Sequence, residues 1–213
     1  ELGRGYEMHL VDFFASQLNI TLQDKSVGIV LGKGDIEFAN NMFKGLPRPI
    51  VLYNPYYGWK AKGALTYHII DELSKYVKTL GGCMMQIGSR PPFIGIGYNA
   101  VGYTGTIMNT AAMLAQCDLY VGNDSGLTHL SEAVGGTSLI LYSSTDPTCY
   151  QHSDKQHVVC NNICYGCYNR MPNPDIVNDK CRYSTQFFCV MWNSISKVLD
   201  IVKRVLKDYK ENM

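Results

Sequence analysis

The chain has 213 residues, 46% of them hydrophobic and 17% charged, with a formal net charge of +1. That length holds one large domain or two small ones, and the composition is that of a globular protein rather than a disordered one. Near-neutral charge excludes a general attraction to nucleic acid or acidic membranes, and no apolar run reaches the roughly 18 residues of a spanning helix.

In chain order, residues 1–24 predict one helix, with Leu10, Val11, Phe14 and Leu18 on a single face. His9 and Asp12 on it read as a helix surface pair rather than as catalytic groups. Residues 25–49 are a mixed stretch in which Gly32-Lys33-Gly34 lacks the spacing of a phosphate-binding P-loop. From Ile50 an α/β alternation begins. Ile50–Tyr53 is a strand, Ala64–Leu80 an amphipathic helix with Leu65, Ile69, Leu73, Tyr76 and Leu80 inward, and Cys83–Ile87 a second strand. A Pro/Gly-rich loop (89–102) and a helix near 107–116 follow.

The central stretch is Leu119–Pro147. Leu119-Tyr120-Val121 is a buried strand, Gly122–Gly126 a turn, and Leu127, Leu130, Ala133 and Val134 the apolar face of a helix capped by Asp124 or Ser125. Gly135-Gly136 stops that helix, and Ser138–Tyr142 is the next strand. A strand turning sharply into a capped helix presents free N–H groups at the sheet's carboxyl edge, where open α/β sheets bind ligands and where a diphosphate is favoured. The tail, Asn193–Asn212, predicts a helix with an apolar face of Ile195, Val198, Leu199, Val202, Val205 and Leu206, expected to be partly exposed or buried in a dimer. The fold class is therefore a doubly wound α/β domain with a parallel sheet and helices on both faces.

Asp124-Ser125-Gly126-Leu127-Thr128-His129-Leu130, closing with Thr145-Asp146-Pro147, resembles the signature of the lipopolysaccharide heptosyltransferases, glycosyltransferase family nine. Gly102-Tyr103-Thr104-Gly105 with the following Met108–Asp118, and the cysteine-rich tail with Cys189-Val190-Met191, are similar to further segments of that family. His9–Phe14 fits its interdomain linker. The resemblance implies the C-terminal, donor-binding half of a two-domain GT-B fold, with a Rossmann-like sheet. It implies inverting sugar transfer, without a catalytic metal, from ADP-heptose or another UDP- or GDP-sugar to a glycan or protein acceptor. The general base is then expected in an N-terminal domain, for which too few residues precede Ile50. Start at Glu1 rather than Met fits a fragment of a longer enzyme, or a short form that uses a partner or homo-oligomer.

The site residues follow from the motif and the resemblance together. Lys62 (with Lys60 as the competing choice) is the family-like cation for the diphosphate, against a reading as a solvated loop lysine. Gly88 and Ser89 would lie beside the base or ribose, where no acidic residue before Tyr98 stands ready to hold the ribose, and Thr104 of the family-like segment is a further donor-binding candidate. Asp124 is either a plain N-cap or an acceptor for sugar hydroxyls, while the N–H groups of Ser125, Gly126 and Leu127 cradle phosphate. Gly126 favours close ligand approach, and His129 falls one turn on, as either a structural or a functional histidine.

Six of the 8 cysteines follow residue 148, and Cys164, Cys167, Cys181 and Cys189 form a C-x-x-C pair and a wider pair. Four thiolates of this kind suit one structural Zn or Fe ion, and the resemblance adds iron binding in autotransporter heptosyltransferases. Disulfides are the rival reading, in an oxidising compartment, and no secretion signal is visible. The organisation expected is a linker helix and irregular segment (1–46), a Rossmann-like nucleotide-sugar-binding domain (47–148), a cysteine-rich metal-binding segment (149–192) and a C-terminal helix (193–213). The expected location is cytoplasmic, with peripheral membrane contact as its variant. A non-catalytic nucleotide-sugar-binding or metal-stapled interaction module is the competing function.

Overall fold

The computed structural model describes residues 8–56, 62–89, 93–151, 154–160, 165–167, 181 and 194–211. Its centre is a six-stranded, all-parallel sheet built from β1 (Ile50–Asn54), β2 (Cys83–Gln86), β3 (Tyr98–Asn99), β4 (Leu119–Asn123), β5 (Ser138–Tyr142) and β6 (Gln156–Cys160). The strand order is β3-β2-β1-β4-β5-β6. Every neighbouring pair is parallel, with Leu52 beside Met85 on one side and Tyr120 on the other. Strands buried on both faces read as continuous apolar runs, which is why β1 and β5 are predictable at almost their observed bounds and β4 from its first residue, though it runs on through Gly122 and Asn123.

Alternation along each strand sorts the core into two layers. Val51, Tyr53, Leu119, Val121, Leu139 and Leu141 face one side with α3 (Tyr67–Thr79) and α6 (Ile195–Val205). Ile50, Leu52, Tyr120, Ile140 and Tyr142 face the other with α2 (Lys33–Phe43), α4 (Ile107–Gln116) and α5 (Gly126–Ala133). The doubly wound class inferred from the sequence is the one observed. Helix α3 starts at Tyr67 because Thr66 caps it, its hydroxyl accepting from the Ile69 N–H at 3.4 Å. Ile69, Ile70, Leu73 and Val77 then face the sheet.

Four features differ from the sequence reading. Helix α1 (Leu10–Gln17) leaves Phe14 and its C-cap Leu18 turned outward, 58% and 69% exposed. On it, His9 caps the helix and its Nε2 meets the Gln151 carbonyl at 3.1 Å, while Asp12 pairs with Lys25, so the two are not a surface pair with each other. The mixed stretch contains α2, which drives Ala39 and Phe43 into the core and places Gly32 at an N-cap whose N–H is held by Asp35. The tail helix buries Val198, Val202 and Leu206 against this chain's own sheet and α3, while Ile195, Leu199 and Val205 of the same apolar face stay half-buried. At roughly 1.5–3 kcal/mol for each buried aliphatic side chain, that face is a sizeable part of the core. The helix breaks at Leu206 and resumes as α7 (Lys207–Glu211). The sheet also runs past residue 148, since β6 pairs with β5 from Ser138–Gln156 to Tyr142–Cys160.

No described helix is long and apolar enough to cross a membrane.

Candidate functional site

The strand order reverses direction between β1 and β4, the two central neighbours. The chain leaves β1 for α3 on one face and β4 for α5 on the other, so a crevice opens between their carboxyl ends. A cleft of about 520 Å³ lies there. Gly88, Ser89 and Thr104 form one wall, and Ser125, Gly126 and Leu127, the start of α5, form the floor. Six of the nine donor-binding candidates thus line one cavity.

The N-terminus of α4 reaches the same cleft through Thr106, Ile107 and Thr110. Thr106 caps α4 by accepting from the Asn109 N–H at 3.1 Å. Two helix N-termini therefore present their positive ends to a cavity whose lining side chains, among the described residues, carry no charge. A Cβ at Gly126 would meet no protein atom within 4 Å, so the fold itself does not demand glycine there, whereas close approach of a ligand would.

Lys62 and Asp124 meet each other beside this cleft: Nζ lies 2.6 Å from Oδ2, and the carboxylate is only 4% exposed. Thr145 donates its hydroxyl to the same oxygen at 2.7 Å. Asp124 is therefore not the helix cap. Ser125 holds the cap position, without a side-chain hydrogen bond to the helix. Burial is the first cause, and the Asp124 and Glu132 carboxylates the next, that hold the Tyr142 phenol above its ordinary pKa. His129 does not line the cleft; its ring lies near Tyr150, with Nδ1 3.8 Å from Glu132 Oε2.

Asn123, the last residue of β4, explains how Lys62 reaches its place. Its Oδ1 accepts from the Leu65 N–H at 2.7 Å and its Nδ2 donates to the Pro55 carbonyl at 3.0 Å, so one buried amide ties both ends of the β1–α3 connection to β4. Sequence reasoning missed this clamp, and it also missed Asn54, Tyr56, Gly105, Thr106, Ile107 and Thr110 in the cleft. A signal for the α4 group was present in the Thr-x-x-Asn start of the helix. Without β3 in view, that start had no reason to sit at the sheet's edge.

Of the cysteine quartet, Cys167 and Cys181 are half-buried, and Cys164 and Cys189 lie outside the described residues, as does Lys60. Among the described residues no group of His, Cys, Asp or Glu has the arrangement of a metal site.

Residues 101–179, which include the α4 and α5 edges of the cleft, match the model of Glycosyltransferase family 9 (heptosyltransferase). The family resemblance is borne out. No curated protein matches the chain's sequence. Among solved structures, the family 9 glycosyl transferase of Veillonella parvula aligns with a TM-score of 0.74 at 17% identity, over 95% of this chain and 61% of that one. The E. coli ADP-heptose lipopolysaccharide heptosyltransferase II gives 0.62 at 18%, over 86% and 54%. TibC of enterotoxigenic E. coli, solved in complex with ADP-D-β-D-heptose and described as dodecameric and iron-containing, gives 0.62 at 15%, over 89% and 49%. These likenesses establish a shared fold, and the chain spans about half to three-fifths of each of those proteins.

Proposed function

We propose that this chain binds the nucleotide-diphosphate sugar donor of an inverting glycosyltransferase. The observation that carries the reading is the cleft at the β1/β4 switch point, floored by the α5 N-terminus with a lysine at its side. Backbone N–H groups of Ser125–Leu127 and the Lys62 ammonium are the means of holding a diphosphate and of stabilising it as leaving group. Lys62 has three N–H donors, so it can keep Asp124 and still reach a phosphate oxygen. The acceptor hydroxyl, of a glycan or protein, attacks the anomeric carbon from the face opposite the diphosphate. A carbon–oxygen bond forms to the acceptor, the bond to the β-phosphate oxygen breaks, and the acceptor proton passes to a base. That base is expected on an N-terminal domain facing the cleft, and the acceleration needs no catalytic metal in this reading.

Family 9 membership of residues 101–179 supports the class of reaction, and the ADP-heptose seen with TibC makes an ADP-sugar the first donor to try. A structural Zn or Fe ion on Cys164, Cys167, Cys181 and Cys189 remains part of the proposal, as do cytoplasmic location and assembly with a partner domain or a second copy. Isothermal titration with ADP, UDP and GDP tests it. One nucleotide should bind, and Lys62→Ala should weaken it about tenfold or more, the equivalent of about 1.4 kcal/mol. Absence of binding by all three to the folded chain removes the donor-site reading.

A further inference from the structure

Thr145 sits three residues beyond β5, 1% exposed, in a segment fixed on both sides. Before it, the Ser143 carbonyl accepts from the Gly166 N–H at 2.9 Å. After it, Asp146 Oδ1 accepts from the Thr148 N–H at 3.1 Å and from the Thr148 hydroxyl at 2.8 Å. The threonine hydroxyl is thus delivered to Asp124 by a braced turn rather than by a mobile side chain. Its β-branched χ1 adds stiffness.

Among the described residues, the Thr145 hydroxyl and the Lys62 ammonium meet Asp124, both at Oδ2. No described residue donates a hydrogen bond to Oδ1. An ionised carboxylate offers about four acceptor positions, so half of this group stays available at the end of β4, next to the residues that floor the cleft. A carboxylate accepts from hydroxyls and repels phosphate. Oδ1 therefore has something to offer the sugar of a donor and nothing to offer its diphosphate.

We infer that Thr145 is the positioning residue of the sugar subsite. It holds Asp124 by one oxygen so that the other is presented, in fixed orientation, to a hydroxyl of the transferred sugar. This rests on the donor-site reading above and adds to it a residue that acts only through Asp124. Its signature is a selective one. The extra affinity of a nucleotide sugar over its bare nucleotide depends on Thr145, and the affinity of the bare nucleotide does not.

Titrations with three pairs of probes read this out: ADP and ADP-D-β-D-heptose, UDP and UDP-glucose, GDP and GDP-mannose. For the pair that the unaltered chain binds, Thr145→Val should weaken the sugar nucleotide about tenfold and change the bare nucleotide less than twofold. Thr145→Ser, which keeps the hydroxyl, should stay within about threefold of the parent for both. Asp124→Asn keeps the shape but not the charge, and should abolish the same increment whether or not the valine variant folds. Equal weakening of both ligands by Thr145→Val, a serine variant as impaired as the valine one, or an increment that survives Asp124→Asn would each overturn the inference while leaving the donor site intact. Failure of the unaltered chain to bind any probe would instead overturn the donor site, and the inference with it.

Discussion

At the amino end of β4, Asp118 takes Arg48 Nη1 on both oxygens at 2.8 Å, the Ile50 N–H on Oδ2 at 2.6 Å and the Tyr209 hydroxyl on Oδ1. At the carboxyl end, among the described residues, Asp124 takes a lysine and a threonine hydroxyl on one oxygen alone. Each cluster is a carboxylate with one cation and one hydroxyl, and the two flank the same five-residue strand. They differ in saturation. Asp118 spends its acceptor capacity on the protein, stapling β1, β4 and α7 together. Asp124 keeps capacity in reserve at the edge where parallel sheets bind ligands. Chemical composition does not separate the two carboxylates, but the count of satisfied lone pairs does.

That contrast is open to attack by mutation. Asp118→Ala should cost about 3–4 kcal/mol in urea unfolding, because it leaves Arg48 and a backbone N–H without their acceptor, while nucleotide affinity per folded molecule stays unchanged. A loss of affinity there would break the comparison. Lys62→Met should cost about 2–3 kcal/mol by leaving the buried Asp124 carboxylate without its cation. Lys62→Met combined with Asp124→Asn should recover at least about 1 kcal/mol of that loss in a double-mutant cycle. The smallest effect is at Tyr209→Phe, about 1 kcal/mol with no change in ligand binding. Burial first, and the hydrogen bond to Asp118 next, hold the Tyr209 phenol above its ordinary pKa of 10.0. The folded chain keeps this proton longer than the unfolded one, so the contribution is complete below pH 10 and falls away as the pH rises beyond it. Melts recorded from pH 8 to 11 should decline less steeply in the phenylalanine variant. The buried Tyr53, Tyr120 and Tyr142 shift in the same direction and preserve part of the slope.

The sequence carried the sheet's centre and lost its edges. β1, β4 and β5 are apolar runs bounded by turn residues, a pattern that survives without tertiary information. β3 is two exposed residues, Tyr98 and Asn99, inside a glycine-rich stretch, and it exists only because Met85 and Gln86 offer it partners. β6 begins Gln156-His157, and its pairing with β5 outweighs its composition. Helix α2 was obscured by Gly34, Asn40 and Asn41, weak helix formers that its packing on α4 overrides. Gly122 reads in sequence as the start of a turn, yet it lies inside β4, where any Cβ would collide with the Tyr120 hydroxyl. In the site, Ser125–Leu127 were legible because a strand-to-helix turn is a local signal. Asn54 and Asn123 were not, since their amides act on the backbone of distant loops and leave no periodic trace.

The Asn123 clamp has a consequence for how this edge can change over time. With the Pro55 carbonyl and the Leu65 N–H both fastened to one side chain, the connection between them is closed at its stem. Loop-closure entropy grows only slowly with length, by about 0.6 kcal/mol per doubling. Insertions and exchanges inside such a stem therefore leave the anchor points where they are. Fastened at its stem in this way, the connection can change in sequence and length without remaking the sheet.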